Sequence, residues 1–159
     1  MADLPEISQP APAFQAPQTD GTTVSLSDFA GQWLVLYFYP KDNTPGCTTE
    51  ARDFTSYLAE FQALGAQVVG VSPDSSKSHE KFVTKHALTI TLLSDPEHQI
   101  AEAYGIWGLK KFMGKEFMGI IRSTFLINPE QAIAQVWTKV RTKGHAAAVL
   151  DALKTHTNG

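Results

Sequence analysis

The chain has 159 residues, 43% of them apolar and 18% charged, with 13 basic against 16 acidic side chains for a net charge of −3. That length suits one domain over residues 1–159, with enough apolar material for a real core. The slight acidity argues against nucleic acid or an anionic membrane as the main partner.

The first residues, Met1 to Glu6, carry no basic and then apolar leader, so no signal peptide is expected. No apolar run approaches the roughly 18 residues a membrane helix requires. A single cysteine fits a reducing compartment, and a cytoplasmic protein is expected.

Residues 1–13, rich in Pro and Ala, read as an extended arm. Phe14 to Leu26, with Asp20-Gly21 at its turn, reads as a β-hairpin, and Asp28 to Gln32 as a connection. Trp33 to Tyr39 is a continuous apolar run of strand length, suited to a central strand covered on both faces. Thr44-Pro45 then reads as a helix start, with Thr as cap and Pro at the first helical position. Ala51, Phe54, Leu58, Phe61 and Leu64 follow at steps of three and four, and Gly65 is the stop.

Gln67 to Val71 is the next predicted strand, and Ser75 to His86 a helix with Phe82 and Val83 facing inward. Leu88 to Leu93 reads as a strand, and Asp95-Pro96 caps a short helix to about Tyr104. Gly105 to Gly119, with its four glycines, reads as a long loop. Ser123 to Ile127 and Ala132 to Thr138 are partner strands around the turn at Asn128 to Glu130. From Gly144 a terminal amphipathic helix uses Val149, Leu150 and Leu153. This order implies an α/β fold: a central mixed sheet flanked by helices, extended at its N-terminus by a hairpin. Sites in such sheets form beyond the carboxyl ends of the central strands.

Cys47 falls at that edge, in the first turn of the helix that follows the buried strand. Partial positive charge and free N–H groups at a helix N-terminus favour a thiolate, which makes Cys47 a candidate nucleophile rather than core filler.

The spacing Pro40-x-x-x-Thr44-x-x-Cys47 resembles the active-site signature of the peroxiredoxins. The longer run Tyr37 to Glu50 is similar to the bacterioferritin comigratory protein, or Q-type, branch. Arg122 to Ile127 resembles that branch's second motif, and Lys110-Lys111 to Gly119 the loop before it. The resemblance, from about Ala11 to the C-terminus, implies a thioredoxin-like fold. It also implies reduction of hydrogen peroxide and organic hydroperoxides without metal or organic cofactor.

On that resemblance Cys47 is the peroxidatic cysteine, with Thr44, Pro40 and Arg122 as companions. Arg122 would stabilise the thiolate, since a guanidinium stays charged and its fork can serve two atoms. The Thr44 hydroxyl would hold the peroxide in line, and N–H groups at Gly46 and Cys47 would receive charge on the leaving oxygen. Pro40 would shape the pocket and shield the sulfur. Glu50 reads either as a first-turn helix acid or as a group that orients an arginine.

The product would be a sulfenic acid on Cys47. Where the branch often carries a second cysteine, five residues on, this chain has Arg52, and Phe82 and Val83 stand at the other usual place. A one-cysteine cycle is expected, with glutathione, glutaredoxin or thioredoxin as the external thiol. The site should then stay folded through the cycle, in a monomer or weak homodimer.

Blander readings compete at several residues. Thr44 can be a plain helix cap, Arg122 a surface ion pair, and Asp42 and Asn43 turn residues. Phe112, Met113, Phe117 and Met118 suit either core or an apolar collar over the thiol. Trp107 suits core or a neighbour of the pocket. The five histidines show no ligand spacing and read as solvated, so no metal site is expected. A thiol hydrolase using Cys47 would require a histidine base beside it, and a binding protein would require none of this chemistry.

Overall fold

The computed structural model describes residues 3–158, so Met1, Ala2 and Gly159 of the expected domain lie outside the described residues. From the N-terminus, β1 (Gln15–Pro17) and β2 (Thr23–Ser25) form the expected hairpin, followed by a 3₁₀ turn over Leu26–Phe29. Then come β3 (Trp33–Phe38), α1 (Pro45–Ala63), β4 (Ala66–Ser72), α2 (Ser76–His86), β5 (Thr91–Ser94) and α3 (Gln99–Ala103). The chain continues through β6 (Trp107–Phe112), β7 (Lys115–Ile120), β8 (Ser123–Ile127), β9 (Ile133–Trp137) and α4 (His145–Asn158).

The central sheet runs β5-β4-β3-β8-β9. Strands β3, β4 and β5 are parallel, whereas β8 and β9 are antiparallel to their neighbours. Because β3 lies in the middle, its alternate side chains feed two separate cores. Leu34, Leu36 and Phe38 pack with Tyr104, Phe125 and the N-terminal hairpin on one face. Val35, Tyr37 and Tyr39 pack on the other face with Phe54 and Phe61 of α1, Phe82 of α2, and Val149 and Leu153 of α4. Burial on both faces is why the strand reads as a continuous apolar run.

The arm is tied down where it is described. The Ser8 and Ala11 amides donate to the carbonyls of Ile133 and Gln131, so it lies along the edge at β9. Helix α3 begins later than expected, at Gln99. The Asp95 carboxylate still accepts from the Ile100 and Ala101 amides, so its role as helix cap holds from a distance.

The segment Gly105 to Gly119 is not a loop. It is the antiparallel hairpin of β6 and β7, in which Trp107 pairs with Ile120 and Phe112 with Lys115. Met113 and Gly114 make its two-residue turn, both at positive φ (51° and 80°), as the twist of a tight hairpin requires. Phe112, Met113, Phe117 and Met118 are exposed on it, so they are not core.

Candidate active site

The site forms because two strands end at one place. Strand β3 leads through Pro40 to Asn43 into α1, and its antiparallel partner β8 starts at the same edge, with Phe38 opposite Ser123. Arg122, one residue before β8, is thereby set beside the first turn of α1 although it lies 75 residues from Cys47. Gly46 lies at this contact. A β-carbon there would stand 3.5 Å from Arg122 Nη2 and 3.7 Å from Thr142 Cγ2, so the turn packs directly against both side chains.

Cys47 is buried at 1% exposure, and Arg122 Nη2 donates to its sulfur at 3.1 Å. The other arm, Nη1, donates to Glu50 Oε1 at 2.7 Å. Glu50 is wholly buried one turn further along α1, so it faces the arginine rather than solvent. Of the two sequence readings of Glu50, the contact with an arginine is the one seen. Arg122 is half-buried and is no surface ion pair.

Thr44 precedes the helix in extended conformation but does not cap it through its side chain. Its hydroxyl instead donates to the Lys41 carbonyl at 2.9 Å, which leaves oxygen lone pairs for an incoming donor. The plain cap reading is therefore corrected. With Pro45 at the first helical position, the amides of Gly46 and Cys47 have no acceptor within the helix and stay available.

Burial pushes Glu50 up to about 7, against the opposing pull of Arg122. Burial also works against the charge of Arg122, but Glu50 and Cys47 outweigh it and hold the guanidinium above its ordinary value. Burial, then the Arg122 charge, lowers Lys110, while Cys47 acts the other way. Tyr37, stacked on Phe54 with centroids 4.7 Å apart, is raised well above the usual phenol range, chiefly by burial and then by Glu50. Its hydroxyl and Glu50 Oε2 have no hydrogen-bond partner among the described residues.

Two histidines expected at the surface are buried. His79 of α2 places Nδ1 2.7 Å from Asp42 Oδ2, and its Nε2 is 3.0 Å from the Leu93 carbonyl. Asp42 also accepts from the Tyr39 and Ser78 hydroxyls, so it is a buried anchor for the Pro40–Thr44 loop and more than a turn residue. Asn43 does take the turn conformation, with φ 61°. The second buried histidine, His145, pairs with Thr124 at 2.7 Å, and burial followed by the Arg122 charge lowers it to about 4. Neither ring was legible in sequence, because its partner is brought by another element.

Asp42, Asp74 and His79 have ligand atoms close enough together for a metal ion. These groups are already bonded within the protein, however: both His79 ring nitrogens are engaged, Asp74 Oδ2 accepts from the Asp42 amide and the Ser72 hydroxyl, and Asp42 contacts the Tyr39 and Ser78 hydroxyls and the His79 ring. The cluster fits a hydrogen-bonded brace better than a cation site.

A cavity of about 360 Å³ opens onto Arg122. Pro40, Leu109, Ile121 and Val140 form its apolar walls, and Lys110 and Lys139 its other charges. Arg122 is thus shared between cavity and sulfur. Of the apolar collar expected from Phe112, Met113, Phe117 and Met118, none lines it, and Leu109 of the same hairpin does. Trp107 stacks on His98 at 3.7 Å instead of reaching the pocket. A larger cavity, about 440 Å³, lies between the N-terminal hairpin and α3, away from the thiol.

Comparison with known proteins identifies the family and the fold. Residues 7–136 match the AhpC/TSA family. Peroxiredoxin Bcp of Bacillus subtilis is 53% identical over 149 residues, covering 94% of this chain and 95% of its own length. Peroxiredoxin Bcp of Xanthomonas campestris is 48% identical, covering 92% and 93%. Among solved structures, Xanthomonas campestris bacterioferritin comigratory protein, studied for alkyl peroxide reduction, superposes with TM-score 0.89 at 44% identity, covering 98% of this chain and 99% of its own. A cysteine-to-serine variant of Xylella fastidiosa PrxQ gives 0.92 at 40% identity, covering 98% and 99%. These likenesses make the fold thioredoxin-like, as the sequence resemblance implied. With Cys47 as its one cysteine and no second thiol to pair with it, the chain belongs to the AhpC/TSA family, in the Bcp/Q branch of the peroxiredoxins.

Proposed function

We propose that this protein is a thiol-dependent peroxidase that reduces hydrogen peroxide and organic hydroperoxides through Cys47 and is recycled by an external thiol. The observation that carries the assignment of roles is the shared guanidinium: Arg122 donates to the Cys47 sulfur and to Glu50 at once. A cation 3.1 Å from the sulfur favours the thiolate that must attack the peroxide.

In this reading the thiolate attacks one peroxide oxygen and the O–O bond breaks. The leaving oxygen takes a proton and departs as water or alcohol, and Cys47 becomes a sulfenic acid. Thr44 accepts a hydrogen bond from the peroxide, since its own proton is held by the Lys41 carbonyl. The free amides of Gly46 and Cys47, together with Arg122, receive the developing charge. Pro40, on the cavity wall, keeps water from the sulfur. Glu50 keeps the guanidinium in the plane that serves both partners. A hydrolase is disfavoured because the group beside the sulfur is a guanidinium, which cannot act as a base.

The sulfenic acid is resolved by glutathione, glutaredoxin or thioredoxin. The protein works in the cytoplasm, as a monomer or weak homodimer. Among the described residues no helix is long and apolar enough to cross a membrane. Peroxide consumption with each thiol in turn tests the reading. A mixed disulfide on Cys47 and two thiols oxidised per peroxide are expected. Accumulation of a Cys47–Cys47 dimer as the main oxidised form would contradict it.

A further inference from the structure

We propose that the thiol which resolves Cys47 is a small anionic monothiol of the glutathione class, taken directly into the cavity at Arg122. This rests on the peroxidase reading above and names its reductant.

Access to the sulfur favours a small molecule. The Cys47 sulfur is buried, and a disulfide requires the second sulfur at about 2.05 Å. A protein thiol can reach that distance only if the first turn of α1 opens. A chain with a resolving cysteine has reason to open it, but this chain has none. A small thiol fits the cavity, whose volume of about 360 Å³ lies in the range of small-ligand sites, and there it is one side chain from the sulfur, because Arg122 lines the cavity and also holds Cys47.

Charge favours an anionic one. The protein is acidic overall, yet the cavity lining carries Lys110, Arg122 and Lys139 and no acidic side chain. The carboxylates nearest in the network are already engaged: Glu50 is buried on Arg122, and Glu116 pairs with Lys111 on the hairpin. Lys41 and Arg141 follow the lining residues Pro40 and Val140 directly in sequence. The Lys110 ammonium is fixed by donating to the Ile120 carbonyl at 2.8 Å, which leaves two of its protons for a ligand. A tripeptide thiol with free carboxylates complements this wall, whereas a cationic thiol is repelled by it.

The chemistry balances without any other reagent. The entering thiol attacks the Cys47 sulfur, a sulfur–sulfur bond forms, the sulfur–oxygen bond breaks, and the hydroxyl leaves as water with the thiol proton. A second molecule attacks the sulfur of the bound one, releasing Cys47 as thiolate and the disulfide of the small thiol. The two electrons lost by the two thiols are those gained by the peroxide. A carboxylate-bearing hydroperoxide would meet the same cations, so the test follows the step after peroxide is spent.

The full-length protein is oxidised with one equivalent of hydrogen peroxide and then mixed with glutathione, cysteamine or reduced thioredoxin. Adducts are followed by intact mass and tryptophan fluorescence. At matched thiolate concentration glutathione should react about tenfold faster than the cationic cysteamine, and added salt should narrow that ratio. Lys110→Met keeps the stem that packs over Gly119, and Lys139→Asn suits the positive φ there; each should shrink the ratio severalfold. A ratio near one that is indifferent to salt and to both substitutions would overturn the inference. So would thioredoxin outrunning glutathione at equal concentration. If peroxide adds no oxygen to Cys47 in the first step, the peroxidase reading itself falls. If it does and the ratio is flat, only this inference falls.

Discussion

Arg122 holds the Cys47 sulfur with one nitrogen and the Glu50 carboxylate with the other, at 3.1 and 2.7 Å. The pair of contacts fixes both the position and the plane of the guanidinium, so its charge is aimed at the sulfur. Burial of Cys47 and Glu50, with Arg122 half-buried between them, limits how far salt can screen the interaction.

Replacing the fork by a point charge should therefore cost more than the conserved charge suggests. Arg122→Lys can reach the sulfur or Glu50 but not both, and oxidation by peroxide should slow by about a hundredfold. Arg122→Ala should slow it further and leave Glu50 buried without its partner. Single-turnover oxidation rates check this. Equal rates in wild type and Arg122→Lys would mean that only the charge matters.

Glu50 predicts a pH dependence of stability. Its folded value, about 7, lies above the ordinary carboxyl value of 4.5, so the native state holds the proton more tightly than the unfolded chain. The resulting stability is fully present below the ordinary value and lost as pH rises through about 7. Glu50→Gln does not titrate. Between about pH 5 and about pH 8, wild type should lose on the order of 2–3 kcal/mol relative to this variant. Urea unfolding of both proteins measures the difference, and parallel pH profiles would count against a raised Glu50.

The Asp42–His79 pair anchors the loop from Pro40 to Thr44 onto α2. Removing one partner of a buried, hydrogen-bonded pair costs roughly 3–5 kcal/mol. His79→Ala should fall in that range by urea unfolding, and the loosened loop should also slow oxidation of Cys47. A loss under about 1 kcal/mol would place the brace elsewhere.

The central strand, α1 and the strands after Arg122 were readable because their signals are local: an apolar run, Thr-Pro before an amphipathic period, alternation. The β6–β7 hairpin was not. Its turn carries Met113 where Asn or Gly is usual, and Leu109, Phe112, Phe117 and Met118 are exposed on strands whose burial does not alternate. The resemblance of the two motifs was enough to put Cys47 and Arg122 in one site. His79 and His145 escaped notice because each is buried by a partner far away in sequence, Asp42 and Thr124. The cationic cavity was equally hidden, since its lysines come from β6 and from the segment after β9.

The most direct test is stopped-flow oxidation of the reduced protein with one equivalent of hydrogen peroxide, with intact mass measured at the end. The structure predicts addition of one oxygen atom to Cys47, at least about a thousandfold faster than to free cysteine, and no such addition in Cys47→Ser. Oxidation no faster than that of a free thiol, or an oxygen found on a methionine instead, would contradict it.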